Sequence, residues 1–407
     1  MAGKRLTPLS KILIVAAIIG GVYYLLNMLR DPEVKEKINE VTSKASSSKT
    51  KDGYNDVLNI GVVTWGGYAG GQYFNEGFKA NTESRFYKDY GFKVNFKVID
   101  DFDASRDAFK NGDIDLMWAT IDAFPTEVAG LAQYQPQVVF QADWSRGGDA
   151  IVARRGISKV SDLKGKKIAV APMTPSHSFL IWLLEAGDLT PKDVSIVEVP
   201  SAIDAADAFK SGTVDAAVVW SPDDADCVSK VAGSRVLEST KNATHIIADV
   251  FVAKKEFVET HKDQLRDLYE GWMIGASELN ASDSNKRKAA KILAEGLSQP
   301  EDFCYDAINN VRLATHGDNE NFFGLNQSYN GVTGEDLYNK MKVKYNDLGY
   351  STSGAKSWRL LSTKDLVTKT KSLTGANHTP EKQKEFTAVK PELVDKESLS
   401  SKKVSIS

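Results

Sequence analysis

The stretch 107-DAFKNGDID-115 recurs 100 residues later as 207-DAFKSGTVD-215, with six identical positions. Chance is a poor explanation for such a match over nine residues. A solenoid is equally poor, because solenoids repeat every 20–50 residues or so and need several copies. Two distant copies instead indicate two similar domains that use the same structural unit.

The chemistry of the repeat predicts what this unit is. The Asp-Ala-Phe-Lys part suits the last turn of a helix, with Lys110 and Lys210 near the negative end of the helix dipole. Gly112 and Gly212 suit the left-handed residue that closes such a helix. The apolar runs that follow, IDLMWA and VDAAVVW, predict buried strands. Each copy is therefore half of a strand–helix–strand unit.

Strands and helices alternate on both sides of the two copies, from about residue 56 to 250. Apolar runs such as VLNIGVVTW, KVNFKVID, GKKIAVAP and VSIVEVP are separated by helical patterns. This alternation predicts parallel sheets covered on both faces, in two α/β lobes. The apolar stretch ATHIIADVFVAKKEF is predicted to carry the chain back to the first lobe, so two crossings form a hinge. After residue 255 the pattern is mainly helical.

The composition excludes several classes of protein. The chain has 407 residues, 42% of them hydrophobic and 26% charged, which is ordinary for a globular protein of two to three domains. A net charge of -3 gives no sign of a nucleic-acid partner. Cys227 and Cys304 lack zinc-site spacing and either form one disulfide or remain small buried residues. We find no metal-site or cofactor motif.

The two ends of the chain differ in composition from the middle. Residues 12–29 carry no charge and could span roughly 27 Å as a helix, so residues 1–30 are predicted to be a membrane anchor or, alternatively, a cleaved signal. Basic residues before the segment place the rest of the chain outside the cytoplasm. Residues 31–55 predict a flexible linker. Residues 351–407 predict a polar, disordered tail.

Four stretches together resemble a known family. They are DAFKNGDIDLMWATIDAF, DWSRGGDAIVAR, SDLKGKKIAVAPMTPSHSFLIWLLEAGDLTPKDVSIVEVP and DAFKSGTVDAAVVWSP, and their order and spacing are similar to those of ABC-transporter solute-binding proteins of the nitrate/sulfonate/taurine type. This group includes thiamine-pyrimidine binders. The resemblance covers roughly residues 56–350.

The resemblance implies a two-lobe periplasmic-binding-protein fold of type II, the Venus-flytrap shape. One lobe would contain residues 56–146 with 247–350, and the other residues 147–246. A small ligand would lie in the cleft, and an ABC permease in the inner membrane would sense closure. The protein would then face the periplasm or the extracellular side, held to the membrane through residues 12–29.

Ligands in open α/β sheets bind beyond the carboxyl ends of the strands, so candidate residues are sought directly after each predicted strand, at the first crossing and at one helix start. Aromatic, hydroxyl and charged side chains are concentrated at these positions. The candidate ligand-binding residues are Trp65, Tyr68, Thr120, Asp122, Trp144, Arg146, Asp149, Thr174, Ser176, His177, Trp220, Ser221 and Asp223.

Each candidate also has a purely structural interpretation. Trp65 and Tyr68 follow the first strand beside paired glycines, where they either face a ligand or fill a tight turn. Thr120 and Asp122 either line the cleft or cap a helix. Trp220 is expected to face Trp65 across the cleft.

The charge of the ligand stays open at the level of sequence. Tryptophans with nearby aspartates suit a cation or a nitrogen heterocycle. Arg146, which pairs either with a ligand anion or with Asp149, and the helix start at Ser176 suit an anion. A zwitterion such as taurine would use both.

The predicted function is extracytoplasmic capture of a sulfonate, taurine, nitrate or pyrimidine-like ligand for an ABC importer. The alternative is a membrane-anchored receptor or scaffold that keeps the fold without transport. An enzyme is not predicted, because the chain contains no G-x-S-x-G, HExxH or P-loop motif and no cysteine-rich stretch of the kind that a pyrimidine synthase needs.

Overall fold

The computed structural model describes residue 51, residues 53–350, residue 352 and residues 354–382. The predicted membrane segment at 12–29, nearly all of the linker at 31–55 and the end of the tail beyond 382 lie outside the described residues. Among the residues that are described, no helix has the length and apolar character needed to cross a membrane.

The described strands form two sheets. The first sheet has the order β11-β4-β10-β3-β1-β2 and the second has the order β7-β6-β8-β5-β9. We call each sheet with the helices packed on it a lobe. The strands are β1 (Val57–Val62), β2 (Lys93–Val98), β3 (Leu116–Thr120), β4 (Pro136–Ser145), β5 (Asp149–Ala153), β6 (Lys167–Val170), β7 (Ser195–Glu198), β8 (Ala216–Trp220), β9 (Arg235–Ser239), β10 (Ala248–Lys254) and β11 (Val311–Leu313).

Helices connect the strands and make up most of the chain after residue 255, as the sequence predicts. The α-helices are α1 (Ala69–Phe74), α2 (Phe102–Asn111), α3 (Val128–Leu131), α4 (Pro175–Ala186), α5 (Ala202–Ser211), α6 (Asp223–Lys230), α7 (Lys255–Thr260), α8 (Lys262–Ala281), α9 (Asp283–Leu297), α10 (Glu301–Asn309), α11 (His316–Phe322), α12 (Gly334–Asp347), α13 (Trp358–Leu361) and α14 (Asp365–Lys369). Short 3₁₀ or π turns lie at Phe86–Tyr90, Phe124–Thr126, Ala132–Tyr134, Val160–Leu163, Pro191–Asp193 and Gly375–Asn377.

Both sheets are mixed, which corrects the prediction of wholly parallel sheets. Strands β2, β1 and β3 are parallel in the first lobe, as are β7, β6 and β8 in the second. Strands β10 and β5 then run antiparallel to β3 and β8. The reason is that β10 and β5 carry the chain across between the lobes, so each enters its sheet from the edge where the parallel strands end.

The repeated nine residues form the same local structure twice. Helices α2 and α5 end at Gly112 with φ 84° and at Gly212 with φ 89°, the left-handed conformation that glycine adopts without strain. The amide of each glycine bonds carbonyls of the preceding turn, and Phe109 and Phe209 are fully buried. Strands β3 and β8 follow. The predicted sequence of helix, glycine and buried strand is confirmed.

The last aspartate of each copy joins the strand that follows to a neighbouring parallel strand, β1 in the first lobe and β6 in the second. Asp115 Oδ2 accepts a hydrogen bond from the backbone N–H of Asn59 at 2.8 Å, and Asp215 Oδ2 accepts one from Lys167 at 2.9 Å. These bonds are placed identically in the two lobes. The identity of the two aspartates in the sequence therefore reflects a shared role in strand pairing.

The first lobe has an aromatic core that fixes the long helix α8 on the sheet. Trp272 is fully buried, and its ring lies 4.8 Å from Phe251 and 5.3 Å from Phe140, centroid to centroid. Such edge-to-face pairs add about 0.5–1.5 kcal/mol to the hydrophobic gain from burial. In the second lobe, separate apolar clusters cover both faces of the sheet.

The chain passes between the sheets twice, from β4 to β5 and from β9 to β10. These two crossings are hydrogen-bonded to each other. The Thr240 hydroxyl accepts from the backbone N–H of Gly147 at 2.8 Å and bonds the Ser145 hydroxyl at 2.8 Å. Gly147 has φ 121°, a conformation that a side chain would strain. The crossings therefore form one connected hinge.

Residues 354–382 are ordered, so the prediction of a disordered tail from residue 351 is wrong for this segment. Trp358 of α13 is 2% exposed, and its ring contacts Phe322, Phe323 and Tyr338 of the first lobe. Farther along, the backbone N–H of Gly317 donates to the His378 carbonyl at 2.9 Å. A few well-placed apolar groups anchor a segment whose composition is otherwise polar.

The two cysteines remain free and buried in α6 and α10, which is the second of the alternatives that the sequence left open. Burial raises the pKa of Cys227 and of Cys304 to about 11. Both thiols are therefore protonated at neutral pH, and they act as small apolar residues.

Candidate functional site

A pocket lies between the two sheets, where the parallel strands end. Strands β1 and β3 reach it by their carboxyl ends from one side, and β8 reaches it in the same way from the other side. The starts of β5, β10 and α4 complete the wall. The lining residues are Val63, Thr64, Trp65, Trp118, Thr120, Asp149, Pro175, Trp220, Ile247 and Asp249.

Aromatic rings form much of this wall. Trp65 packs against Gly148 so closely that a Cβ on the glycine would lie 2.0 Å from the ring. Its Nε1 donates to Asp143 Oδ2 at 3.3 Å. Trp220 comes from the other lobe and lies 6.5 Å from Phe102, centroid to centroid. Tryptophans from both lobes thus line one pocket.

Two buried carboxyl groups face the pocket from opposite lobes. Asp149 opens β5 and Asp249 lies near the start of β10. Asp149 Oδ2 accepts from the Ser145 hydroxyl at 2.7 Å, and Asp249 Oδ2 accepts from the hydroxyl of Tyr68. Burial raises the pKa of Asp149 to about 7, and burial together with the Asp143 charge raises the pKa of Asp249.

Two more buried carboxyl groups lie behind the pocket. Burial raises the pKa of Asp122 to about 8, and neither of its oxygens has a hydrogen-bond partner in the described residues. Burial also raises the pKa of Asp143, although the bond from Trp65 opposes the shift. The four aspartates therefore share a low-dielectric region in which ionised carboxylates are unfavourable.

The arginines near this region are paired with glutamates. Arg106 lies 4.8 Å from the Trp118 ring and bonds Glu127 through two nitrogens, one at 3.0 Å. Arg146 forms an ion pair with Glu381 at 2.7 Å. Arg146 thus has Glu381 as an ion-pair partner, while Asp149 is bonded by Ser145.

Trp144 lines a second cavity, whose wall includes Glu381, and Arg146 bonds this glutamate. The Trp144 ring is 4.7 Å from His245 and 6.0 Å from Phe322, centroid to centroid. These two candidates are therefore not brought together with the tryptophans of the interlobe pocket.

The start of helix α4 has little free capacity for an anion. Pro175 has no N–H, and the amides of His177 and Ser178 both donate to the Thr174 carbonyl. The Thr174 hydroxyl donates to Ala171 at 2.8 Å rather than capping the helix. Ser176 is the remaining residue of this first turn with a backbone N–H, and that N–H does not donate to the Thr174 carbonyl.

Helix α12 covers this helix start from outside. The Tyr345 hydroxyl bonds the Ser178 hydroxyl at 2.8 Å and donates to the Thr174 carbonyl at 3.3 Å. His177 lies between Tyr345 and Tyr350, is 1% exposed, and accepts from the Met173 amide. Burial lowers the pKa of His177 to about 4, so this histidine is uncharged at neutral pH.

The remaining candidates lie outside the pocket wall. Tyr68 is fully buried behind Asp249, and burial raises its pKa. Ser221 accepts from Asn310 Nδ2 at 3.2 Å, a contact between the lobes. Asp223 begins α6 and is half-buried, which raises its pKa. Ser176 is fully buried, and its hydroxyl has no partner among the described residues.

Sequence reasoning missed Trp118, Pro175 and Asp249 as wall residues. Trp118 was not a candidate because it lies within an apolar run, whose residues are expected in the hydrophobic core. Asp249 is the one acid within the apolar stretch of β10, and that was the signal available. The amino end of an antiparallel strand lies at the same edge as the carboxyl ends of its parallel neighbours, so an acid there faces the cleft.

The chain is similar in sequence to a known binding protein. The taurine-binding periplasmic protein of Escherichia coli K12 is 29% identical over 191 residues, which cover 46% of this chain and 58% of that protein. The chain thus matches less than two thirds of that relative. It is named as a binding protein rather than an enzyme, in agreement with the prediction of a non-catalytic protein.

Solved structures share the fold. The periplasmic aliphatic sulphonate binding protein of Escherichia coli has a TM-score of 0.59 at 18% identity, covering 75% of this chain and 92% of that one. The periplasmic nitrate-binding protein of Synechocystis PCC 6803 has a TM-score of 0.55 at 14% identity, covering 80% and 91%. The two-lobe α/β binding-protein fold is thereby confirmed. The model of the NMT1-like family matches residues 75–294, more than half of the chain, and the chain therefore belongs to the NMT1-like family.

Proposed function

We propose that this chain is an extracytoplasmic solute-binding protein that captures a small ligand between its lobes for an ABC importer. Residues 56–146 with 247–350 would form one lobe and residues 147–246 the other. The observation that carries the proposal is the interlobe pocket, whose wall comes from both sheets at the carboxyl ends of their parallel strands.

Function follows from this placement. A ligand that contacts both lobes stabilises the closed form, and it does so only by its differential affinity for the closed over the open form. A permease in the inner membrane would then distinguish the closed form from the open one. The names of the taurine-, sulphonate- and nitrate-binding relatives support this role, with the protein facing the periplasm.

The proposal is tested by ligand-dependent closure. A thermal-shift screen of sulfonates, nitrate, amino acids, amines and pyrimidines identifies a stabilising ligand, and small-angle scattering then measures the radius of gyration with and without it. We expect a smaller radius in the presence of the ligand. An unchanged radius with every stabilising ligand would rule out closure as the signal.

Paired variants locate the site. Trp220→Phe alters a pocket tryptophan, whereas Trp182→Phe alters a half-buried tryptophan that Lys340 covers outside the pocket. We expect the first to weaken binding by about tenfold and the second to leave binding unchanged. Equal effects of the two variants would move the binding site away from the interlobe pocket.

A ligand-sensing receptor is the second candidate function, and one contact favours it. Glu381 bonds Arg146 of one crossing and lies 3.6 Å from His245 of the other, so residues 375–382 touch both crossings of the hinge. Hydrogen exchange in this segment that changes on ligand binding, together with normal ligand uptake by cells lacking the protein, would favour a receptor. Lost uptake would favour transport.

A further inference from the structure

We propose that the interlobe pocket recognises a positively charged nitrogen, an ammonium group held between Asp149 and Asp249 and surrounded by tryptophan rings. This inference rests on the proposed function, because it names the ligand chemistry of the same pocket. It differs from the anion recognition that the names of the sulphonate- and nitrate-binding neighbours would suggest.

The wall of the pocket has the composition of a cation site. Its charged groups are Asp149 and Asp249, and no lysine, arginine or histidine is among its residues in the described chain. Trp65, Trp118 and Trp220 also line the pocket, and tryptophan rings attract cations, more strongly away from water. Acid and aromatic groups together are the usual surroundings of an ammonium.

The surroundings add carboxyl groups, rather than further cations, to the neighbourhood of the pocket. Asp122 and Asp143 lie behind the wall and are fully buried. The nearby arginines, Arg106 and Arg146, form their ion pairs with Glu127 and Glu381, although their charges also act on the buried aspartates. A cationic ligand would supply the positive charge that these four aspartates lack.

An unpartnered polar atom of the pocket wall indicates a ligand independently of the acidic cluster. Trp118 is 2% exposed and lines the pocket, and its Nε1–H has no hydrogen-bond partner among the described residues. A buried donor without a partner is energetically unfavourable, because it has lost its hydrogen bonds to water. We therefore infer that the ligand carries an oxygen acceptor beside its ammonium group, as an amino alcohol or an amino acid does.

The alternative anion site is poor. Pro175 is the residue of helix α4 that reaches the pocket wall, and it has no N–H to donate. The next amides of that helix bond the Thr174 carbonyl, and Tyr345 covers the helix start. An anion entering the pocket would meet two carboxyl groups and no free cation of the wall.

The two acids also explain how the ligand closes the lobes. Asp149 belongs to the second lobe and Asp249 to the first, so one ammonium that bonds both carboxylates joins the lobes directly. In the empty pocket, burial raises the pKa of Asp149 to about 7. A bound cation favours the ionised form, so binding near neutral pH releases protons.

The test uses matched probes on the folded protein. Ethanolamine and taurine carry an ammonium group, ethanesulfonate is taurine without its nitrogen, and nitrate is a plain anion. We expect ethanolamine or taurine to raise the melting temperature of the protein. Ethanesulfonate and nitrate, which have no ammonium group, should leave it unchanged. Binding of ethanesulfonate or nitrate as tight as that of the amines overturns the inference and leaves the proposed function intact. No stabilisation by either amine also counts against the inference.

Variants and proton release complete the test. Asp149→Asn and Asp249→Asn keep the side-chain shape and should weaken amine binding by about tenfold to hundredfold, whereas the exposed control Asp188→Asn should not. If either pocket variant fails to fold, calorimetry of the unaltered protein decides. Amine binding in two buffers of different ionisation enthalpy should reveal proton release, and its lack would contradict the role of the carboxyl groups. Amine binding without any compaction would overturn the proposed closure instead.

Discussion

At the scale of single residues, the unusual feature of this protein is a group of buried carboxyls without a cation of their own. Asp122 is the extreme case, since it is fully buried and both its oxygens lack partners in the described residues. Burial raises its pKa to about 8, and the charges of Asp149 and Asp249 act in the same direction. Asp122 is therefore protonated in the folded protein at neutral pH.

This protonation makes stability depend on pH. Between about pH 4, the ordinary value for an aspartate, and pH 8, the folded protein holds a proton that the unfolded chain has released. The free energy of unfolding therefore falls as pH rises through this window, by up to about 1.4 kcal/mol per pH unit for one group. We predict that Asp122→Asn, which cannot titrate, has a shallower slope. Urea unfolding at several pH values measures it.

The pH dependence caused by the buried acids is best measured above the pH range in which a buried histidine also changes the stability. Burial lowers the pKa of His177 to about 4, so this residue makes stability rise with pH up to the ordinary histidine value of about 6.5. Measurements between about pH 6.5 and 8 isolate the acids. A buried asparagine lowers stability at every pH, but that cost shifts the curve without changing its slope. Parallel curves for the two proteins would contradict the prediction.

Some candidate residues could be located from the sequence because they lie at, or directly after, the end of a parallel strand. Trp65, Thr120 and Trp220 are in such positions, and the structure brings them to one pocket. Asp249 was not among the candidates, because the sequence does not show whether strand β10 runs parallel or antiparallel to its neighbours. Arg146 was equally hard, since its partner Glu381 is more than 200 residues away and only tertiary structure brings the two together.

At the scale of elements, residues 354–382 add to the first lobe a segment that composition had hidden. Helix α13 has four residues, yet it contributes two buried side chains, Trp358 and Leu361. A four-residue helix presents too little periodicity for pattern recognition, which needs windows of roughly 11–18 residues. The nine-residue repeat was predictable for the opposite reason, because glycine closure and a long apolar run are local signals.

Helix α13 offers a matched pair of variants. We predict that Trp358→Ala lowers the free energy of unfolding by about 3–5 kcal/mol, because a large buried ring is replaced by a cavity. Its control is Leu360→Ala in the same helix, which is 64% exposed and should change stability by no more than about 0.5 kcal/mol. Thermal or urea unfolding distinguishes them. Similar losses in both variants would mean that the segment contributes by helix formation rather than packing.

At the scale of the whole molecule, Glu381 of the segment 354–382 connects the two crossings of the hinge. Burial opposes the ionisation of Glu381, but the hydrogen bonds and charges of His245 and Arg146 lower its pKa to about 2. Its backbone N–H in turn donates to Asp318 Oδ1 at 2.6 Å. Residues of both crossings and of the first lobe are thus joined through Glu381, the crossings by its carboxylate and the first lobe by its backbone N–H.

We predict that Glu381→Gln weakens ligand binding by about threefold to tenfold. The neutral amide loses the charge-assisted bond to Arg146, so the arrangement in which both lobes line the pocket is less populated. Glu320→Gln is the control, because it removes an ion pair to His378 of the same segment at 2.8 Å without touching a crossing. Calorimetric titration measures both. Equal affinity in the Glu381 variant and the unaltered protein would show that the ion pair does not set the lobe arrangement.

The position of Glu381 in the chain has a consequence for biosynthesis. A ribosome makes both sheets, and the two connections between them, long before it adds this glutamate. As the polypeptide emerges from its amino end, its strands can pair while the hinge still lacks this carboxylate. Competence to trap a solute would therefore be acquired last, once this late carboxylate has emerged and found its arginine.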